Sequence, residues 1–207
     1  MNLPNQLTIL RILLTPLFVF LLFSSSSTLQ WLSFAVFVIA SLTDWYDGYI
    51  ARKFGVVTKW GKFLDPLADK ILVSSAFICF CVMGYFHAWM VTVVVVRDVI
   101  ITVLRSYAVY KGAPITTSTF AKVKTFSQVV FLYLVYLYIL YTNAVGMKGI
   151  QWIFNTESGF HLMNIGMLFI SIVTAASGLL YLVDNRSCVA DMKKDLFRLI
   201  VPSNTRV

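Results

Sequence analysis

Charge is scarce in this sequence. Only 13% of its 207 residues are Asp, Glu, Lys or Arg, against about 25% in a soluble domain. Hydrophobic residues make up 59% of the chain, and the mean hydropathy is +0.81. A soluble globular fold is excluded, and an all-α integral membrane protein is expected. Cysteine is also rare. Cys79 and Cys81 lie inside an apolar run and Cys188 lies near the C-terminus. An odd count without ligand spacing excludes a disulfide framework and a zinc site. Apart from the four serines at 24–27, no low-complexity segment or internal repeat is present.

Apolar segments fall at about 9–24, 30–52, 62–84, 88–110, 119–142 and 161–183. They predict six transmembrane helices in a single membrane-embedded domain, 1–207, with a basic tail from 184 to 207 and no separate soluble domain. The opening stretch carries Pro4 and Pro16 and has no basic leader, so it reads as a retained first span and not as a signal peptide. The net charge of +8 would suggest nucleic acid in a soluble protein. Here the charges sort by side. Arg52, Lys53, Lys59, Lys111, Lys122 and Lys124 flank the turns after the second and fourth segments, and Arg186, Lys193, Lys194, Arg198 and Arg206 crowd the tail. The positive-inside rule then places both termini and these turns on the cytoplasmic side of the inner membrane, with no nucleic acid as partner. Trp31, Trp60, Trp89 and Trp152 sit at expected interfaces, as belt tryptophans do. The tail mixes Lys193, Lys194 and Arg198 with Leu196, Phe197, Leu199 and Ile200, a pattern suited to an anionic leaflet.

Against this apolar background, the segment 43–70 is conspicuous. Asp44 and Asp47 are spaced three apart and Asp65 and Asp69 four apart, on either side of a basic turn. Each pair shares a helix face. Asp44 lies on the order of 12 Å along its helix from Arg52, inside the bilayer profile. An isolated carboxylate there costs at least about 2.5 kcal/mol, so four together call for cations. Four hard oxygen donors with no His or Cys nearby suit magnesium or manganese, and two such ions would draw phosphate oxygens as their remaining ligands. Gly48 and Ala51 open a notch beside them, Arg52 supplies a bidentate phosphate donor, and Gly61 and the Asp65–Pro66 step open the next helix. Taken singly, Asp65 before Pro66 is also an ordinary helix cap, and Asp44 and Asp47 could be wet residues at a helix end.

Together these residues resemble the CDP-alcohol phosphotransferases. The signature of that family (Asp, two residues, Asp-Gly, two residues, Ala-Arg, eight residues, Gly, three residues, Asp, three residues, Asp) is met by Asp44, Asp47, Gly48, Ala51, Arg52, Gly61, Asp65 and Asp69. The resemblance implies a six-helix membrane fold, usually dimeric, with two divalent cations, Mg2+ or Mn2+, at the diphosphate of a CDP-linked donor. By position, Asp44, Asp47 and Asp65 would be metal ligands. Asp69 would complete the cluster and act as base for the acceptor hydroxyl. Gly48, Ala51, Arg52 and Gly61 would line the donor site.

Looser strings, NLPNQLTILR, DPLADK, RDVIITVLR and KVKTFSQ, resemble the branch that transfers phosphatidyl from CDP-diacylglycerol to glycerol 3-phosphate. The chain departs from that branch at Asp98, where glutamate is usual, at Ser106, and at Ala121, where glycine is usual. Serine, an inositol phosphate and phosphatidylglycerol remain open as acceptors, and a cation or proton transporter is the reading from another class. An anionic acceptor also follows from the residues themselves. Arg97 and Arg105 are eight apart on the fourth helix and near one face, Arg97 falls near mid-membrane, and both are expected to turn inward. With Lys122 they would bind the acceptor phosphate. The alternative pairs Arg97 with a core carboxylate and leaves the lysines to topology. Lys124, two residues from Lys122, is expected to face away from the pocket. His87 and His161 fall on the outer side, Tyr133, Tyr136, Tyr138 and Tyr141 read as packing and belt positions, and Asn5 and Thr8 could touch the donor or cap the first helix.

Overall fold

The computed structural model describes residues 3–54, 59–111, 119–145 and 162–200. These form seven helices, with no strand among them. In chain order they are α1 (Leu3–Leu22), α2 (Ser27–Phe54), α3 (Lys59–Val82), α4 (Ala88–Tyr110), α5 (Thr119–Val145), α6 (Leu162–Asp184) and α7 (Arg186–Ile200). Each of the six apolar segments lies mostly within one helix. α1 begins earlier than the apolar run because Pro4 occupies its first turn, where a missing N–H removes no helical bond. α3 ends on Gly84, whose φ of 85° is easy only for glycine. The Gly84 N–H donates to the Cys81 carbonyl and the Tyr85 N–H to the Phe80 carbonyl, so the last free carbonyls of α3 are satisfied within its turn. α4 then starts after His87, whose backbone N–H donates to Asn164 Oδ1 at 3.3 Å, tying the turn to α6.

α1 packs on α2 and α3, α3 on α4, α5 on α2, and both α4 and α5 on α6. Where α1, α2, α3 and α5 meet, Phe18, Phe37, Phe80 and Tyr136 form a closed aromatic cluster, each at most 1% exposed. The Phe80 and Tyr136 rings meet edge to face at 5.3 Å, and Phe18 and Phe37 lie 5.4 Å apart. Ser33 stitches the cluster. Its Oγ donates to the Phe18 carbonyl at 2.8 Å, so its contact with Tyr136 Oη at 2.7 Å is one in which the phenol donates. Tyr136 is therefore a packing residue, as its spacing suggested, while Tyr141 is exposed.

The outer surface is the reverse of a soluble protein's. Leu13, Phe20, Leu42, Val82, Phe126, Leu134, Phe169 and Val183 are all more than half exposed, while Thr8, Arg11, Asp98, Lys124 and Gln128 are buried. Apolar outside and polar inside is the pattern a bilayer imposes. Among the described residues, α6 and the Val123–Asn143 part of α5 are long and apolar enough to cross a membrane, with shorter apolar stretches at Gln6–Leu22 and Ser27–Thr43. The described residues are all helical, and their surface is that of a membrane protein.

The described part of the tail, α7, packs back onto the bundle. Cys188, Val189 and Met192 of α7 pack on Ile101 and Leu104 of α4 and Tyr181 of α6. Asp195 accepts a hydrogen bond from Tyr107 Oη at 2.7 Å and pairs with Lys111 Nζ at 2.7 Å. That bond from Asp195 holds the Lys111 ammonium above the usual lysine range. Lys193 and Lys194 are exposed on the opposite side.

Tyr136→Phe should cost only about 1 kcal/mol of stability, the phenol's hydrogen bond, whereas Tyr136→Ala should cost about 3–5 kcal/mol by emptying the cluster. Reversible unfolding of the two variants in detergent measures the difference.

Candidate active site

The backbone is helical through both carboxylate pairs: Asp44 and Asp47 lie on α2, and Asp65 and Asp69 on α3, in the register their spacing requires. The side chains of Asp44, Asp47, Ala51, Arg52 and Asp65, together with the surroundings of Gly48 and Gly61, lie outside the described residues. Asp69 is described. Its side chain is 29% exposed, open enough to meet a substrate, and its Oδ2 lies 3.6 Å from Lys70 Nζ. Among the described residues no group of three or more His, Cys, Asp and Glu could hold a metal.

One buried residue on α1 escaped the sequence reading. Arg11 is fully buried, three residues from the equally buried Thr8, and its Nε donates to the Ala40 carbonyl at 3.3 Å. Thr43 Oγ1 donates to the same carbonyl at 2.7 Å. Ala40 is one turn before Asp44, so a guanidinium is anchored beside the acidic end of α2. Its signal in the sequence was a lone arginine inside an apolar helix.

A second polar centre lies deeper, on Asp98. This carboxylate is 2% exposed and is surrounded by cations from three helices. Oδ1 receives Lys124 Nζ and, at 3.0 Å, Arg97 Nη1; Oδ2 faces Lys70 Nζ at 3.6 Å. Lys70 therefore stands between Asp98 and Asp69. From Arg97 the network continues into α6 and α5. Its Nη2 donates to Ser177 Oγ at 2.9 Å, Ser177 Oγ donates to the Thr174 carbonyl at 2.9 Å, and Gln128 Nε2 donates to Thr174 Oγ1 at 3.4 Å. Removing one member of a buried ion pair typically costs about 3–5 kcal/mol, because the other charge stays buried and uncompensated.

The basic residues fall differently from their expected places. Arg97 turns into the bundle, as its depth required, and pairs there with a core carboxylate, the alternative the sequence left open. Its side chain is 13% exposed. Arg105 does not follow it inward and is exposed, because the buried stripe of α4 runs through Asp98, Ile101, Thr102, Leu104 and Ala108. Lys124, expected to face away, is 1% exposed. It belongs to the ladder Lys124, Gln128, Leu132, Tyr136 and Leu140, spaced by four along the buried face of α5. The Lys122 and Asn5 side chains and His161 lie outside the described residues, while His87 is exposed at the start of α4.

The site thus joins an acidic pair of helix faces to a buried cationic cluster through Asp69 and Lys70. A profile of the CDP-alcohol phosphatidyltransferase family matches residues 1–177, and the chain belongs to that family. Among curated proteins, it is 40% identical over 141 residues to the CDP-diacylglycerol–glycerol-3-phosphate 3-phosphatidyltransferase of Bacillus subtilis, covering 62% of this chain and 73% of that protein. It is 37% identical over 157 residues to the enzyme of that name from Rickettsia bellii, covering 73% and 86%. To that of Escherichia coli it is 36% identical over 137 residues, covering 63% and 74%.

Gly178 leaves the space that Arg97 fills: a Cβ there would stand 2.7 Å from Arg97 Cγ and 3.2 Å from its Nε. Gly178→Ala should displace the guanidinium from Asp98 and Ser177 and lower stability by about 1–3 kcal/mol. Unfolding in detergent at wild-type expression conditions checks this.

Proposed function

We propose that the protein transfers the phosphatidyl group from CDP-diacylglycerol to glycerol 3-phosphate, releasing CMP and phosphatidylglycerophosphate. The observation that carries the reading is Asp69, the last carboxylate of the acidic signature, standing beside the Arg97, Lys124 and Lys70 cluster through Lys70, in a chain whose relatives bear that activity in their names. Such a pairing suits a reaction in which both substrates carry phosphate.

The donor set fits divalent cations of the oxygen-seeking kind. It offers carboxylates alone, with no His or thiolate, on two helices in the register that brings each pair to one face. Asp44, Asp47, Asp65 and Asp69 would hold two ions, Mg2+ or Mn2+. When bound, these neutralise the diphosphate of the donor and the charge that builds on the leaving CMP. Gly48, Ala51, Arg52 and Gly61 would line the cytidine and phosphate site. Asp69 has the exposure a base needs and takes the proton of the acceptor hydroxyl as its oxygen attacks phosphorus. Arg97 and Lys122 would receive the acceptor phosphate, with the buried Lys124 joining them from the network around Asp98, while Arg105, turned outward, is left out of that site. Six helices of 20 to 28 residues support six crossings in the inner membrane, with both termini and the acidic hairpin on the cytoplasmic side and a homodimer as the working form.

Purified protein given CDP-diacylglycerol, glycerol 3-phosphate and magnesium should release CMP. Serine, an inositol phosphate or phosphatidylglycerol as acceptor should give little, and a higher rate with one of these would reassign the acceptor. Asp69→Asn should lower kcat by about 10²–10⁴-fold, the usual contribution of a general base, with the helical circular dichroism unchanged. Full activity in that variant would remove Asp69 as the base.

A further inference from the structure

Three cations converge on Asp98, and they would repel one another without it. Lys124 is 1% exposed, and the side chains of Arg97 and Lys70 are 13% and 17% exposed. Among the described residues, counting Asp98 alone, the cluster carries a net charge of +2. Counting Asp69, which Lys70 also faces at 3.6 Å, it still carries +1. A buried excess of positive charge is stable only beside an anion. Among the described residues, two polar atoms in the same network also lack a partner: Arg97 Nε, a donor that an anion would satisfy, and Gln128 Oε1, an acceptor that a hydroxyl would satisfy. The network is therefore built to receive a further polar, anionic group, and it sits next to the residue proposed as base. Asp98 reaches all three cations without being open to solvent itself, which suits a group that holds them and does not touch the substrate.

We infer that Asp98 is the positioning residue of the acceptor site: it fixes Lys124 and Arg97 side by side for the phosphate of the acceptor and, through Lys70, sets that phosphate at a constant distance from Asp69. The inference rests on the proposed reaction and deepens it. Lys124 and Arg97 then act as a preassembled pair, and Lys70 is the spacer between phosphate site and base. The acceptor binds with its phosphate near Arg97 Nε and its reacting hydroxyl at Asp69. A residue that merely neutralised a buried lysine would be dispensable once the lysine were removed with it. A positioning residue would not.

Full-length protein in lipid nanodiscs, with the KM measured separately for glycerol 3-phosphate and CDP-diacylglycerol, tests this. Asp98→Asn should raise the KM for glycerol 3-phosphate at least about tenfold while leaving that for the donor within about twofold. Asp98→Glu, which keeps the charge on a longer arm, should recover most of the loss. If Asp98→Asn does not fold, the double variant Asp98→Asn with Lys124→Met, which removes the buried pair together, decides. A folded double variant whose acceptor KM is raised well beyond that of Lys124→Met alone supports the assignment, because losing a phosphate-binding lysine raises that KM whatever Asp98 does; a value equal to that of Lys124→Met alone overturns it. A wild-type acceptor KM in either folded variant overturns it. So does an equal rise in both KM values. Wild-type turnover with glycerol 3-phosphate, measured in parallel, tests the reaction itself and fails or succeeds independently of the split between the two constants.

Discussion

A charge held inside a low-dielectric bundle has to be matched within a few ångströms, and the polar interior of this protein is organised by that constraint. The match is local at Asp98, where one carboxylate serves three cations. At the α2–α3 hairpin four carboxylates lie in one stretch of 26 residues, from 44 to 69. The exterior shows the complementary rule. Phe20, Val82 and Phe126 face outward because hydrocarbon surrounds them, whereas the same side chains in water would have to be covered. In lipid the hydrophobic effect does not drive helices together, so packing of the Phe18, Phe37, Phe80 and Tyr136 rings and buried hydrogen bonds such as that of Ser33 hold the bundle.

The two polar centres are not independent. Asp69 and Lys70 are neighbours in sequence, so α3 carries both the last carboxylate of the acidic signature and the ammonium that reaches Asp98. α4 and α6 close the arrangement from the other side: Gly178 yields the room for Arg97, and Ser177 accepts its second N–H. α7, which lies beyond the residues 1–177 that match the family, is clamped to the end of α4 through Tyr107, Lys111 and Asp195. It therefore braces the helix on which Arg97 and Asp98 sit.

Much of this was legible in the sequence, for identifiable reasons. The helices announced themselves because apolar runs of bilayer length are bounded by turns such as Met83–Gly84, and α4 spans the expected residues 88–110. The acidic signature was visible because carboxylates are rare in apolar helices. The rotation of each helix was harder to read. Whether Lys122 or Lys124 enters the core turns on a difference of two residues, and the deciding evidence is the ladder through Gln128, Leu132 and Tyr136 further along α5. Asp98 was noticed only as a departure from a family habit, since a single acid gives no pattern until its partners on α3 and α5 are seen. α7 was read as a basic tail because four of its six charged residues are Lys or Arg; the contacting face of Cys188, Val189 and Met192 precedes the stretch that looked amphipathic.

The central claim is that the carboxylates of α2 and α3 persist inside a membrane bundle because they cage divalent cations. Anomalous diffraction from crystals grown with manganese and a CDP-linked ligand measures this directly. Two peaks between residues 44–47 and 65–69, each within about 2.0–2.3 Å of carboxylate oxygens, are expected. Ordered density for all four side chains, with no anomalous peak among them, would contradict it.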